Sequence, residues 1–385
     1  MPPHVVDQEA ARSLLAELFA PAGVGVGAGR PSGAGALAGA AIPAVAGPLA
    51  RDGEEADWDR LLTVFDNAGI ETRRVCMPLA WYAEEHTFGE RNDLYLEHGL
   101  DLSAAAIVAA LDRAAIAPED VDHVVFVSST GVSTPSLDAS LANRLGFRRD
   151  VRRTPIWGLG CAGGAAGLAR AREFALAAPG SRVLVVALEL CSLAFQRRER
   201  SKRNLVAASI FADGAAAAIV STSGADGHAG RNGSGAAARL VVEGSGSTLW
   251  PNTLDVMGWE VDGDGLHVVF SRDIPTIVRR WARESVERFL ASRGLTLAQV
   301  DHVVSHPGGM KVLRAYQEAL SVPEHAFRHA RDVLRERGNM SSPTCLFVLE
   351  RFLESGTIAP GETALLTALG PGFSAEYVLL RSVEG

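Results

Sequence analysis

A chain of 385 residues that is 47% hydrophobic and 21% charged can bury a large core and exceeds one small domain, which suits two fused α/β halves. Its formal net charge of −8 leaves no basic surplus to neutralise phosphates, which disfavours nucleic-acid binding and favours soluble metabolism. The four cysteines (Cys76, Cys161, Cys191, Cys345) show no CxxC spacing and no nearby His cluster, so free thiols and no metal site are expected.

From the N-terminus, Met1-Pro2-Pro3-His4 lacks the basic flank and apolar run of a signal peptide, and a cytoplasmic location is expected. Residues 22–50 are rich in Ala and Gly. Within them, Ser32 to Ala50 is nearly uncharged and long enough for a membrane span, but its few large apolar side chains would gain little in lipid. It reads as a flexible surface insert, and no membrane span is expected.

Beyond the insert, short β-rich runs alternate with helical stretches, as in layered α/β folds. Val121-Asp122-His123-Val124-Val125 opens one unit, and Val300-Asp301-His302-Val303-Val304 opens another with the same five residues. Each copy continues in one order. The first has a helix over Ser136 to Leu145, a turn at Gly158-Leu159-Gly160-Cys161 into a helix, and a strand over Arg182 to Leu188. The second has a helix over Lys311 to Leu320, a turn at Gly338-Asn339-Met340, and a strand over Thr363 to Leu369. A duplicated α/β unit accounts for the shared order and places Cys161 and Asn339 at equivalent turns, both expected at helix N-termini. The halves are assigned to 1–230 and 231–385, joined through the Gly/Ser/Ala-rich stretch Ser221 to Ala238.

Three polar residues can carry chemistry. Cys161 enters a helix among small residues, where the dipole and free N–H groups favour a thiolate nucleophile. His306 ends a strand in the opposite half and is followed by Pro307-Gly308-Gly309, and Asn339 occupies the mirrored turn. Each alone has an ordinary structural reading: a packed cysteine, a core histidine, an N-cap. Together they suit decarboxylative condensation. A thiolate, expected to be held by His306⁺, accepts an acyl group from CoA; loss of CO₂ from a malonyl thioester then leaves an enolate whose oxygen His306 and Asn339 can stabilise.

Trp157-Gly158-Leu159-Gly160-Cys161-Ala162-Gly163-Gly164, His306-Pro307-Gly308-Gly309, Gly338-Asn339-Met340-Ser341-Ser342 and Gly370-Pro371-Gly372-Phe373 together resemble type III polyketide synthases, the chalcone-synthase family. The resemblance runs from about Asp52 to the C-terminus. It implies a thiolase-like fold of two α/β halves in αβαβα layers, a homodimer, acyl-CoA starters with malonyl-CoA extenders, and no cofactor beyond these CoA substrates. By the same resemblance, Phe211 is a gatekeeper between CoA tunnel and cavity, and Val268 stands where plant members carry a second Phe, which widens the pocket. Cys191, Ser129, Thr134 and Ser341 match cavity positions, Thr134 reaching the partner's cavity. Gly308 matches a backbone contact to CoA, and Arg60 a phosphate contact. The segments around Glu189-Leu190-Cys191-Ser192 and Met257 to Pro275 look similar to alkylresorcinol and alkylpyrone synthases, which implies a fatty acyl starter.

The pattern departs from the family in two places. The resemblance puts a strand ahead of Pro2-Pro3-His4-Val5, where this chain already begins, and the insert interrupts the region of CoA-phosphate contacts. The run Arg197-Arg198-Glu199-Arg200-Ser201-Lys202-Arg203 can attract phosphates but reads more simply as a solvated loop. A β-ketoacyl-ACP synthase III-like enzyme and a noncatalytic thiolase-fold partner subunit remain as alternatives.

Overall fold

The computed structural model describes residues 1–19, 58–222 and 239–383, so the expected insert at 22–50 and the expected boundary between 230 and 231 lie outside the described residues. The chain opens with β1 (His4–Asp7) and α1 (Gln8–Phe19), continues at α2 (Trp58–Asp66), and pairs β1 antiparallel with β2 (Thr72–Val75). Val6, Leu15, Phe65, Val75 and Tyr82 close this region around an apolar cluster of its own.

Next comes α3 (Phe88–Ala114), started by a capping box: Thr87 Oγ1 accepts from Glu90 N, and the Glu90 carboxylate accepts from Thr87 N. It is the one described helix long and apolar enough to cross a membrane. Its stripe of Tyr95, Gly99, Ile107 and Leu111 is buried, and the helix packs on the first of two four-stranded sheets.

That sheet arises from β3 (His123–Val127), α4 (Leu137–Leu145), β4 (Arg152–Ile156), α5 (Gly163–Ala177), β5 (Arg182–Leu190), α6 (Lys202–Ile210) and β6 (Asp213–Ser221). Its order is β4-β3-β5-β6, with only β6 antiparallel. The near-continuous Val/Leu run of β5 is buried from Val183 to Leu190, as a central strand covered on both faces requires.

The second half provides β7 (Arg239–Leu249), the hairpin β8 (Met257–Asp262) and β9 (Gly265–Phe270), α7 (Ile274–Ala291), β10 (His302–Ser305), α8 (Met310–Leu320), α9 (Arg328–Arg337), α10 (Thr344–Glu354), β11 (Thr363–Gly370) and β12 (Ser374–Val383). Its sheet order is β10-β11-β12-β7. The repeat is visible in the pairing: β3 with β5 and β10 with β11 are parallel, and each pair is extended by an antiparallel strand, β6 or β12.

The layers follow from side-chain size. The first residues of α5, Gly163 to Ala169, are all buried, and α5 touches strands of both sheets and α10. A Cβ at Gly164 would lie 2.6 Å from Cys345 Sγ, so only glycine lets α5 approach α10 this closely. With α3 and α4 outside the first sheet and α7 and α8 packed into the core of the second, the expected αβαβα arrangement is present.

Candidate active site

After β4, Gly160 takes a left-handed φ of 46° and begins a 3₁₀ turn, Gly160–Ala162, that runs into α5 and buries Cys161. Ser129 props this turn, since its Oγ accepts from Gly158 N at 3.2 Å and Gly160 N at 3.3 Å. Burial pushes the Cys161 thiol up to about 11, and its hydrogen bonds with Ser341 and Asn339 only partly offset this. Desolvation thus works against the expected thiolate at this turn.

His306 follows β10 and continues its ladder by donating N–H to Thr367 O at 2.8 Å. Its ring is buried, and among the described residues neither ring nitrogen has a hydrogen-bond partner. Burial alone lowers it to about 3, which works against the expected His306⁺.

Asn339 is not at a helix N-terminus, contrary to expectation; it lies five residues before α10, where its backbone bridges to the first half. Asn339 N donates to Ile210 O at 2.8 Å, and Ala212 N donates to Asn339 O at 2.9 Å. Ser341, at φ 56°, turns its N–H back onto Asn339 Oδ1 at 2.8 Å and so orients the amide. Cys161 Sγ lies 4.0 Å from the same Oδ1, and Nδ2 makes only a long 3.5 Å bond to Gly308 O. One amide N–H remains for a ligand oxygen.

Cys161, His306, Asn339, Gly308 and Arg60 all line one cavity of about 400 Å³. Cys191, Phe211 and Val268 line a second, narrower one of about 80 Å³, walled by Val6, Leu14 and Leu15. Helix α6 separates them: Lys202, Val206 and Ile210 face the cysteine cavity, while Asn204, Ala207 and Ala208 face the apolar one. Phe211 follows α6, its ring 5.6 Å from that of Phe270 on the cysteine side and 6.1 Å from that of Trp259 on the apolar side. Ser129, Thr134 and Ser341 line neither cavity; Ser129 and Ser341 brace the two polar turns instead. The Arg197–Arg203 run is mostly paired with acids, Arg197 and Arg198 with Glu85 and Arg203 with Glu199 and Glu260.

Two buried charged residues were not anticipated as parts of the site. Glu189, at the end of β5, accepts from Ser129 N (2.9 Å), Thr130 Oγ1 (2.8 Å) and Ser342 Oγ (2.9 Å), which ties the two halves beside the nucleophile. Burial raises its carboxyl to about 7 against these bonds. Arg73 of β2 donates to the carbonyls of Ala208 (2.6 Å), Ser209 (2.7 Å) and Phe211 (2.9 Å), capping the C-terminal end of α6 at the gate between the cavities. An inward position in a two-residue alternation was the only available signal for Arg73.

This architecture is shared with known proteins. Residues 77–226 match the model for the N-terminal domain of chalcone and stilbene synthases, and residues 242–384 match that for their C-terminal domain. A putative chalcone synthase of Bacillus subtilis is 43% identical over 334 residues, covering 86% of this chain and 90% of the relative. A 1,3,6,8-tetrahydroxynaphthalene synthase of Streptomyces peucetius is 41% identical, covering 85% of this chain and 84% of its own. The crystal structure of the 1,3,6,8-tetrahydroxynaphthalene synthase of Streptomyces coelicolor, a bacterial type III polyketide synthase, superposes with a TM-score of 0.83 at 29% identity. That match covers 100% of this chain and 97% of that one.

Proposed function

This chain belongs to the chalcone and stilbene synthase family, the type III polyketide synthases, and from that premise we propose that it extends a fatty acyl-CoA starter with malonyl-CoA at Cys161 and cyclises the product to an alkylpyrone or alkylresorcinol. The observation that carries the catalytic assignment is the buried His306, with both ring nitrogens unpartnered, in one cavity with Cys161 and Asn339.

In this mechanism Cys161 Sγ attacks the starter thioester carbonyl as its proton passes to His306. The C–S bond to CoA breaks, CoA leaves as the thiol with that proton, and the acyl group stays on Sγ. Malonyl-CoA then enters and its C–C bond breaks to release CO₂. The electron pair passes into the thioester as an enolate, whose oxygen takes hydrogen bonds from His306 Nε2–H and Asn339 Nδ2–H. The enolate carbon attacks the acyl carbonyl and expels Cys161 Sγ. No resident cofactor is needed.

The apolar cavity beyond Phe211 supports the fatty starter: walled by Val6, Leu14, Leu15 and Val268, it offers a hydrocarbon chain little but hydrocarbon. A second reading, a polyhydroxynaphthalene product made without an alkyl chain, is favoured by the name of the 41% identical relative. We further infer a homodimer, the second copy seated on the face that bears Val132, Thr134 and Trp157. Val132 is 50% and Trp157 54% exposed there.

The test is purified protein with malonyl-CoA and a panel of acyl-CoAs, without carrier protein, read by mass spectrometry. Alkyl-bearing products that vanish in Cys161→Ala are expected. Aromatic product from malonyl-CoA alone would replace the first reading with the second, and turnover confined to carrier-protein substrates would overturn both.

A further inference from the structure

One face of the β8–β9 hairpin walls both cavities. Its pairing sets Met257 opposite Phe270 and Trp259 opposite Val268. Met257 and Phe270 line the cysteine cavity, while Trp259 and Val268 line the apolar one, and the Phe211 ring is flanked by those of Phe270 and Trp259. Yet the hairpin is a two-stranded sheet that pairs with no other strand among the described residues. Two strands alone are marginal in water, so the position of this wall depends on what ties the hairpin to its neighbours.

Some of those ties do not respond to pH near neutrality. Gln196 Nε2 donates to Leu266 O at 2.9 Å, Arg91 donates to Asp264 O, and Arg203 of α6 reaches Glu260 at 3.1 Å. His267, next to Val268 in β9 and on the opposite face, adds a tie of another kind. Its Nδ1 lies 3.0 Å from Glu199 Oε2 in the loop before α6, and its Nε2 lies 2.9 Å from Asp262 Oδ1 at the end of β8. Glu199 also accepts from Ser201 Oγ and, at 2.8 Å, from Arg203 Nε, both at the start of α6. The ring thus links the hairpin to the helix that separates the cavities.

Both of its partners accept and neither donates. Burial pushes the Glu199 carboxyl up, but its bonds from Ser201, Arg203 and His267 outweigh this and hold it below the ordinary carboxylate range. The Asp264 N–H, with His267 beside it, holds Asp262 low as well. Both contacts are therefore hydrogen bonds only while the ring carries a proton on each nitrogen. With one proton it keeps one bond and turns a lone pair toward the other carboxylate. Imidazole ordinarily makes this change between about pH 5 and 8.

The surrounding charges do not replace the lost proton. On β8 and its turn stand Glu260 and Asp264, and on α6 Arg203 is spent on Glu199 and Glu260, while Lys202 faces the cysteine cavity. In the loop before α6, Arg197 and Arg198 are spent on Glu85, and Arg200 lies over Phe19. The ring opens onto a polar cavity of about 600 Å³, across which stand Glu84, Glu90, Arg91 and His86, the last stacked on Trp81. At 16% exposed, His267 can exchange its proton with that water.

We propose that His267 is a positioning residue for the gate: with both nitrogens protonated it clamps the hairpin to the loop before α6 and holds Trp259 and Val268 in place. Loss of one proton releases this wall, so the longest starter accepted grows as pH rises. The proposal rests on the synthase reading for the starter, but the clamp can be measured without turnover.

Hydrogen–deuterium exchange of the segment 257–270, corrected for the intrinsic rate at each pH, reads the clamp. Wild type should open about three- to ten-fold more at about pH 8 than at about pH 5.5. His267→Arg, which donates at every pH, should stay closed at both, and His267→Gln, which takes up no proton, should stay open at both. The acyl-CoA panel reads the gate, because relative rates within one pH cancel every group that acts on all starters alike. Long starters should gain on short ones by about three- to ten-fold over the same interval in wild type, and in neither variant. Opening that still follows pH in His267→Gln would overturn the proposal and pass the role to another group, such as His86. Exchange that follows His267 beside a starter profile that ignores pH would overturn the gate. If exchange follows His267 while no starter yields product, the clamp stands and the synthase reading falls. Turnover of acyl-CoA with exchange indifferent to pH would do the reverse.

Discussion

Glu189 shows what a single buried carboxyl does to this protein. Its pKa near 7 in the fold stands above the ordinary 4.5, so between those pH values the folded protein keeps a proton that the unfolded chain has released. The stabilising contribution of that protonated form is full below about pH 4.5 and is lost as pH rises towards 7, an effect of up to about 3 kcal/mol. Glu189→Gln keeps the shape, and its amide can still pair with Ser342 and Thr130. Denaturant melts of both proteins at pH 5 and pH 8 should show wild type losing stability relative to the variant on going to the higher pH. Parallel curves would mean that Glu189 is ionised in the fold throughout. The same residue marks where sequence reading stopped. Cys161, His306 and Asn339 could be found because glycines and a repeat surround them, but a glutamate closing a Val/Leu strand shows its burial only when Ser342 arrives from the other half. The desolvation that disfavours charge on Cys161 and His306 was equally hidden, because it depends on the closed fold and not on neighbours in sequence.

At the scale of elements, boundaries were legible where capping and glycine set them, and less so where tertiary contact decides. The helix expected at Lys311 to Leu320 is Met310–Leu320, and the strand expected at Thr363 to Leu369 is Thr363–Gly370. Asn339, in contrast, is expected at a helix N-terminus because the equivalent turn of the first half leads into a helix, while its backbone is taken by the bridge to Phe211. Gly370 ends β11 against the nucleophile turn: a Cβ there would stand 2.6 Å from Ala162 Cβ and 3.0 Å from Ala162 N, and would also meet Leu159 O. Backbone cannot swing aside like a side chain, so Gly370→Ala should displace Cys161 and lower kcat about 100-fold, for a stability loss of about 1–3 kcal/mol. Wild-type kcat in this variant would show that the turn has slack. Strand β9 sets a second expectation. Val268 is buried against the apolar cavity, and Val268→Phe would fill part of its roughly 80 Å³. The accepted acyl-CoA panel should then shift to shorter chains, while an unchanged length profile would exclude this position as a gate.

At the scale of the molecule, the unfinished surface lies beside β4, one of the two edge strands of the first sheet. An edge strand offers unpaired backbone groups, and Pro155 within β4 limits what can pair there. Next to it, Trp157 is more than half exposed yet held in place, its Nε1 donating to Gly131 O at 3.2 Å, with Val132 and Thr134 on the same loop. A fixed, exposed indole contributes contact area at little entropic cost, the character of an interface anchor. Sedimentation velocity should therefore give wild type twice the 40.5 kDa chain mass. Trp157→Arg removes the anchor and sets a charge on that face of each copy, so the two copies would repel one another. We expect the dimer to weaken by about 2 kcal/mol or more in the variant, and monomer to appear at micromolar concentration. If Thr134 completes the partner's cavity, the starter profile should change over the same concentration range in which the dimer dissociates. A wild type that sediments as a monomer, or a variant that dimerises as tightly, would remove this face from the assembly and leave each copy to close its own cavity.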